Sequence, residues 1–478
     1  TFADALDAKF GSRGIRLAAA FSTLIVSLFY LIPQMVGAGV LVTPLFGLPH
    51  YVGVIIVGAL VIAIVATAGM TSTTYVQFIK GGLLIIFSTI LVGAVLLRGL
   101  STTPDQGGSQ PFHEFQTLTA QVQGDQVVIE DGNYQFVSQH DSKGTTLVSL
   151  ADTDGQVSWW AAEPAENGQV VLHEGQYTAV QVDGTKTING APATDENQLI
   201  QVGNMSQIAG VSGPEADTGI VGPFKFLSLI SAEDTTIQMW IKTSFTENGE
   251  SLTVYYPQAT SGNQFMRPGL KFKVEGSFTD RIDFVSLMLA LFLGTAALPH
   301  VLIRYYTVPD AASARKSTIV AIAAIGFFYI LTLYLGLGAM ANGVINPADG
   351  NMSAPLLAKS FGIFLFAIIS AIAFATVLGT VSGLIVAASG AVAHDVMDMF
   401  LQIEMTEKQK VRAGKITAVV VGIMAVFRGI VFQGMNGSFL VGWGFAVAAS
   451  ANLHSISLVL CWQKTTASGS GSSIFAGA

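Results

Sequence analysis

Eight apolar stretches, each long enough to cross a bilayer, recur along this chain at about 15–38, 51–70, 74–97, 283–305, 317–341, 361–393, 415–433 and 438–462. A spanning helix needs about 20 mainly apolar residues, and hydrocarbon offers no water to an unpaired backbone group. Such a chain is expected to fold as an all-α polytopic membrane bundle. Composition agrees, with 51% of residues hydrophobic, 11% charged and 51 glycines. The same composition argues against other classes. There is no basic stripe for nucleic acid. The seven histidines form no metal-spaced pair and no Ser-His-Asp or Cys-His set, so no enzyme chemistry and no cofactor is expected. The lone Cys461 cannot form an internal disulfide.

Charge divides the chain into three parts: a membrane part over 1–100, an insert over 101–280 and a second membrane part over 281–478. The insert holds 22 acidic against seven basic residues, and the remainder is mildly basic. Segments such as QVVIEDGNYQFV and SLTVYYPQ alternate apolar and polar residues between Gly, Asn and Asp turns, so the insert reads as a β-rich domain. Trp159-Trp160 and Tyr255-Tyr256 read as its core rather than as binding aromatics. Lys9, Arg13, Arg16, Lys80, Arg304, Arg315, Lys316, Lys408, Lys410, Arg412, Lys415 and Lys464 all fall on one side if the spans alternate. That side is then cytoplasmic, which leaves residues 101–280 outside the cytoplasm of an inner-membrane protein.

The polar residues within the spans are few. The fourth span, Phe284–Tyr306, is interrupted by Gly294-Thr295 and Pro299-His300. Proline frees carbonyls that hydrocarbon cannot satisfy, so the break must be buried in protein or line a wet cavity, as at transporter sites. A simple proline kink is the alternative. The sixth span is about 33 residues, or ~50 Å, longer than the ~30 Å core. Ala371, Ala375, Gly379, Gly383, Ala387 and Ala391 make a small-residue ridge on it that would admit another backbone. Thr376 and Thr380 share a face beside the ridge. Their hydroxyls suit a hard alkali cation, or simply bond back to the helix. Asp395 is expected to cap this span or to pair with the basic loop that follows. Gln34, His300 and Asn452 complete the set within the spans, with Arg304 near enough to the cytoplasmic end to snorkel.

GTAALPHVLIRYYTVPDAASARKS and AIISAIAFATVLGTVSGLIVAASGAVAHDV resemble the broken helix and the ion-site helix of the sodium:solute symporter family, in its cation–acetate branch. YLIPQMVGAG, AGMTSTTYVQFIK and VGWGFAVAASANL are similar to it too. The resemblance covers about 300 residues of the membrane segments and leaves the insert outside. It implies a five-plus-five inverted repeat and sodium-coupled symport of acetate or a similar short monocarboxylate. It further implies sodium at Thr376, Gly379 and Thr380, with Gly379 standing where relatives often carry a serine. Substrate contacts would come from Gln34, Thr295, His300, Arg304 and Asn452. The carboxylate could be held by His300, by Arg304 or by a half-helix N-terminus.

TFADALDAKFGSRGIR reads as an interhelical loop and GSGSSIFAGA as the opening of another span, so the chain is expected to be part of a larger transporter. In that frame the first span is the third helix of the first repeat. The missing helices would then be absent or carried by a second chain. The other class kept open is a non-transporting structural or sensory subunit that binds a partner protein through residues 101–280.

Overall fold

The computed structural model describes all residues except 1, 68–69, 108–111, 124–125, 130–131, 143, 166–168, 195, 215, 270–271, 273 and 463. For residues 5, 44, 70–76, 122–123, 126 and 306–307 it describes the backbone alone. Most of the AGMTSTTYVQFIK motif therefore lies outside the described side chains.

The chain opens with helices α1 (Phe2–Phe10), α2 (Arg13–Phe46), α3 (His50–Thr67) and α4 (Met70–Arg98). A run of short strands follows, interrupted by α5 (Pro223–Ile230) and closed by α6 (Gly262–Phe265). Helix then resumes with α7 (Phe278–Gly294), α8 (Pro299–Leu302), α9 (Ala311–Ala341), α10 (Ser353–Ser360) and α11 (Ile363–Gly390). The last elements are α12 (Glu407–Val431), α13 (Gly437–Ala448), α14 (His454–Cys461) and α15 (Ala467–Gly477). Among the described residues, eight helical segments are long and apolar enough to cross a membrane. They match the eight expected spans in order, and the protein is a multi-pass membrane protein.

Several details differ from expectation. The N-terminal segment is helical, as α1 and the first turn of α2, rather than a loop. The sixth span continues beyond Gly390 as a π-helical segment, Ala391–Phe400. The eighth contains a π-helical turn at Ala449–Leu453. Such bulges insert an extra residue into the ladder, which the apolar periodicity of a span does not reveal.

Contacts divide the chain into two compact units. The first comprises Thr1–Ile90, Pro268–Thr332 and Phe364–Ala478. Its main core joins Leu31, Met35 and Ala38 of α2 to Val54, Val57 and Val61 of α3. Val381, Leu384 and Ile385 of α11 and Ala418, Val421 and Ala425 of α12 complete it. Glycine brings these helices close. A Cβ on Gly58 would stand 2.1 Å from Val426, and one on Gly422 would stand 2.5 Å from Ile62.

The second unit comprises Leu91–Arg267 and Leu333–Ile363. It holds two antiparallel sheets. The first is built from β1 (Thr117–Gln123), β2 (Gln126–Ile129), β3 (Gln135–Ser142), β4 (Thr145–Ala151), β5 (Val157–Pro164) and β6 (Gln169–Glu174), in the order β2-β1-β6-β5-β4-β3. The second is built from β7 (Gln176–Val180), β8 (Lys186–Ile188), β9 (Ala191–Pro192), β10 (Met205–Ile208), β11 (Val211–Ser212), β12 (Thr236–Glu247) and β13 (Glu250–Ser261). Its order is β11-β10-β12-β13-β7-β8-β9. The β12–β13 hairpin turns at Asn248-Gly249 and the β8–β9 hairpin at Asn189-Gly190. All four residues have positive φ, as a two-residue turn matched to strand twist requires.

Successive residues of a strand face opposite ways, so Trp159 and Trp160 serve two cores. Trp159 packs with Leu147, Tyr177, Leu252, Val254 and Tyr256, while Trp160 packs with Val148, Leu150 and Leu172. Arg98 ties the unit's segments together. It donates to Asn342 Oδ1 at 2.7 Å and to Ser360 O at 2.8 Å, and its guanidinium lies 3.7 Å from the Phe361 ring centre.

Candidate functional site

Pro299 sets the break in the fourth span. It has no N–H to return to the preceding turn, and its ring disfavours helix at the residue before it. Leu298 accordingly leaves the helical region at φ −73°, ψ 118°, after a 3₁₀ turn at Thr295–Ala297. The N–H groups of Val301 and Leu302 both turn to Leu298 O, at 3.0 and 3.1 Å. Ala297 O thereby loses its helical donor, and Asn452 Nδ2 takes that place at 3.0 Å. Asn452 is fully buried, and its side-chain oxygen accepts from Ser22 Oγ. Both ends of its amide are used in tying α2, the break and the π-helical turn together.

One face of α2 runs along this break, with Ser22, Val26, Tyr30 and Gln34 spaced four apart. Val26 packs against Ala297 and Leu298. The Tyr30 ring stacks on His300, centroids 5.4 Å apart and planes 20° from parallel. Gln34 lies half-buried one turn further on. His300 Nδ1 is enclosed and, among the described residues, has no hydrogen-bond partner. An unpaired buried nitrogen costs about 1–3 kcal/mol, which a ligand donor or acceptor would recover. Thr295 stands apart from this group: it is exposed, and its hydroxyl donates to Leu291 O at 3.1 Å.

A second set of groups meets on α11. Gln77 Nε2 of α4 donates to Gly379 O at 2.7 Å, and Lys80 Nζ donates to Ala375 O at 2.6 Å. Arg304, from the 3₁₀ turn Ile303–Thr307, reaches the next turn, where a Cβ on Gly383 would stand 3.3 Å from its Nη2. The small-residue ridge was expected to admit another backbone. At Gly379 and Gly383 it instead admits polar side-chain ends, because a missing Cβ leaves them room beside the helix.

Thr376 and Thr380 donate back to Ile372 O and Thr376 O, at 2.7 and 3.1 Å. Each hydroxyl uses its hydrogen in this way and keeps its lone pairs free to accept. Gly379 O already takes Ser382 Oγ as well as Gln77, so Ala375 O is the less crowded carbonyl.

Asp395, expected to cap the span or to pair with the loop, is buried. It accepts from His394 Nδ1 at 2.9 Å, and it is Asp398 that pairs with Lys410, also at 2.9 Å. The reason is the π-helical segment, which rotates these positions relative to a continuous α-helix. Asp4, His394 and Asp395 bring ligand atoms within 4.8 Å of one another.

Sequence reading counts Lys80 only as a cytoplasmic charge and passes over Gln77. The available signal is a glutamine and a lysine three residues apart in an apolar span. Ser22 and Tyr30 carry no comparable signal, since their roles depend on the partner's position.

Comparison with known proteins shows the family. A family model described as the sodium:solute symporter family matches residues 1–139 and 241–477. The match thus runs into both flanks of the insert, which the sequence resemblance had left outside, and omits 140–240. The chain is 33% identical over 488 residues to a monocarboxylic acid transporter of Corynebacterium glutamicum, covering 100% of this chain and 64% of that protein. It is 32% identical over 480 residues to an uncharacterised symporter of Bacillus subtilis, covering 98% of this chain and 63% of that one. The chain therefore spans just under two thirds of the length of these relatives. No solved structure matches it. With a family model covering both membrane parts and relatives aligned along the whole chain, the protein belongs to the sodium:solute symporter family.

Proposed function

We propose that the protein to which this chain belongs is a secondary transporter, carrying acetate or a similar short monocarboxylate with sodium across the cytoplasmic membrane. In this reading the membrane helices form a five-plus-five inverted repeat, and residues 101–280 lie outside the cytoplasm. The observation that carries it is the broken fourth span, where His300, one turn from Arg304, keeps an enclosed Nδ1 with no hydrogen-bond partner among the described residues. Family membership and a relative described as a monocarboxylic acid transporter support the substrate class.

The chain's own groups divide the work. Pro299 and Asn452 hold the break open. His300, oriented by Tyr30, offers a nitrogen to the substrate, and Arg304 supplies positive charge beside it. Gln34 lines the approach along α2. For sodium, the residues present fit in kind. Thr376 Oγ1, Thr380 Oγ1 and Ala375 O are hard oxygen donors, with Gly379 leaving the space beside them. The position already attracts a cation, since an ammonium sits on Ala375 O. A bound sodium ion would supply the free energy of its gradient, through unequal affinity for the two orientations of the carrier.

The test is uptake of labelled acetate into proteoliposomes containing the full-length protein, with and without a sodium gradient. Accumulation several-fold higher with the gradient is expected. Equal uptake without sodium would remove the coupling ion, and no uptake by folded protein would remove transport.

A further inference from the structure

Lys80 is a charged side chain placed within an apolar span. Its ammonium is satisfied by the carbonyl of Ala375 at 2.6 Å, and among the described residues it makes no ion pair. Charge at membrane depth is costly and is seldom retained without use. The approach is also built for it. A Cβ on Gly379 would stand 3.1 Å from Lys80 Nζ and 3.2 Å from Gln77 Cγ, so glycine is what lets the ammonium descend onto the backbone. The carbonyl it takes lies beside Thr376 and one turn from Thr380, among the oxygens a small cation would use. The side chain that meets this face of α11 at Gly383, one turn beyond Gly379, is Arg304, and it is also positive. An ammonium and an alkali ion have the same charge and seek the same oxygens, so the two cannot occupy this position together.

We propose that Lys80 is a tethered place-holder, its ammonium filling the cation position on α11 in the ion-free protein and withdrawing when sodium binds. This rests on the reading of α11 as the ion helix, and it adds a consequence. Apparent sodium affinity is reduced by the fraction of molecules in which Lys80 is withdrawn, so a place-holder seated nine times in ten weakens binding about tenfold. Ion-free carrier then keeps its charge near the helix instead of an empty polar gap.

The experiment is equilibrium binding of radioactive sodium to the purified full-length protein, as wild type, Lys80→Met and Lys80→Arg. Thermal unfolding serves as the folding check. The inference expects Lys80→Met to bind sodium about tenfold more tightly and Lys80→Arg to bind it more weakly than wild type. Should Lys80→Met fail to fold, Lys80→Gln keeps a donor for Ala375 O without the charge and is expected to tighten binding in the same way. Unchanged or weaker sodium binding by the folded neutral variant would overturn the inference while leaving sodium symport standing. Sodium binding by the neutral variant alone would support it and would instead overturn sodium as the natural coupling ion. No binding by any of the proteins would remove α11 as a cation position and the inference with it.

Discussion

His300 and Asn452 are polar residues at similar depth with opposite duties, and the difference is whether their atoms are already spoken for. Asn452 uses both ends of its amide, on Ser22 and on Ala297 O. Truncating it strands two buried groups, each worth about 1–3 kcal/mol when left unpaired. Asn452→Ala is therefore expected to lower stability by about 3 kcal/mol, read as a lower melting temperature in detergent. A melting temperature equal to wild type would show that water or repacking replaces the amide. His300 has the reverse signature, since its enclosed Nδ1 has no partner among the described residues. His300→Phe keeps a ring against Tyr30 and removes the orphan, so stability is expected to hold or rise while KM for acetate increases about tenfold. A stable variant with unchanged KM would take His300 out of the substrate site. The sequence marked both residues as unusual, but it could not separate them. Ala297 O becomes available to Asn452 only once Pro299 has turned two amides toward Leu298.

At the scale of elements, the spans were legible because hydrocarbon demands length and apolarity together, and both are written in one dimension. The π-helical stretches at Ala391–Phe400 and Ala449–Leu453 were not, because one added residue in the hydrogen-bond ladder leaves the length and apolarity of a span unchanged. Helix contacts were half legible. Glycines were visible, but whether each meets a backbone, a side-chain end or nothing depends on the partner helix. That distinction yields a comparison. A Cβ on Gly294 would stand 2.4 Å from the carbonyl oxygen of Phe445, which cannot give way without moving α13, whereas one on Gly326 meets nothing within 4 Å. Alanine favours a helix interior over glycine by about 1 kcal/mol. Gly326→Ala should thus be neutral or slightly stabilising, and Gly294→Ala destabilising despite its better propensity. Equal melting temperatures for the two would refute the close approach.

The second sheet offers a test by pH. Burial holds the Tyr177 and Tyr255 hydroxyls above the ordinary tyrosine value, with Glu250 adding to the effect on Tyr177. A raised folded pKa means the contribution to stability is complete below the unfolded value near 10 and is lost as pH rises through the folded one. Tyrosinate absorbance should show ionisation delayed beyond pH 10 in the folded protein, and Tyr255→Phe should flatten the loss of stability there. An unretarded titration of all tyrosines would contradict the burial.

For the whole molecule, the decisive sequence quantity is the distribution of charge, because orientation in a membrane is set by Lys and Arg near the ends of spans rather than by any contact. Among the described residues the structure supplies eight apolar helices and a folded β-rich segment, and that rule gives their expected sidedness. Counting alternation from α2, the end of the eighth span and residues 101–280 should lie on opposite sides. Two reporters suit this count. Cys461 is the single cysteine and is exposed. Val182, in the turn between β7 and β8, is 85% exposed and replaceable without touching a core. In intact cells, a membrane-impermeant maleimide should leave Cys461 unlabelled until the membrane is permeabilised. Cysteine introduced by Val182→Cys in a Cys461→Ser background should be labelled at once. The reversed pattern would place the acidic sheets inside and turn α11, the proposed ion helix, around with respect to the gradient. Labelling of both residues from one side would mean that the number of crossings between them is even. In that case one of the eight apolar helices does not span, and α12, whose first turns carry Lys408, Lys410, Arg412 and Lys415, is the one whose charge makes crossing most costly.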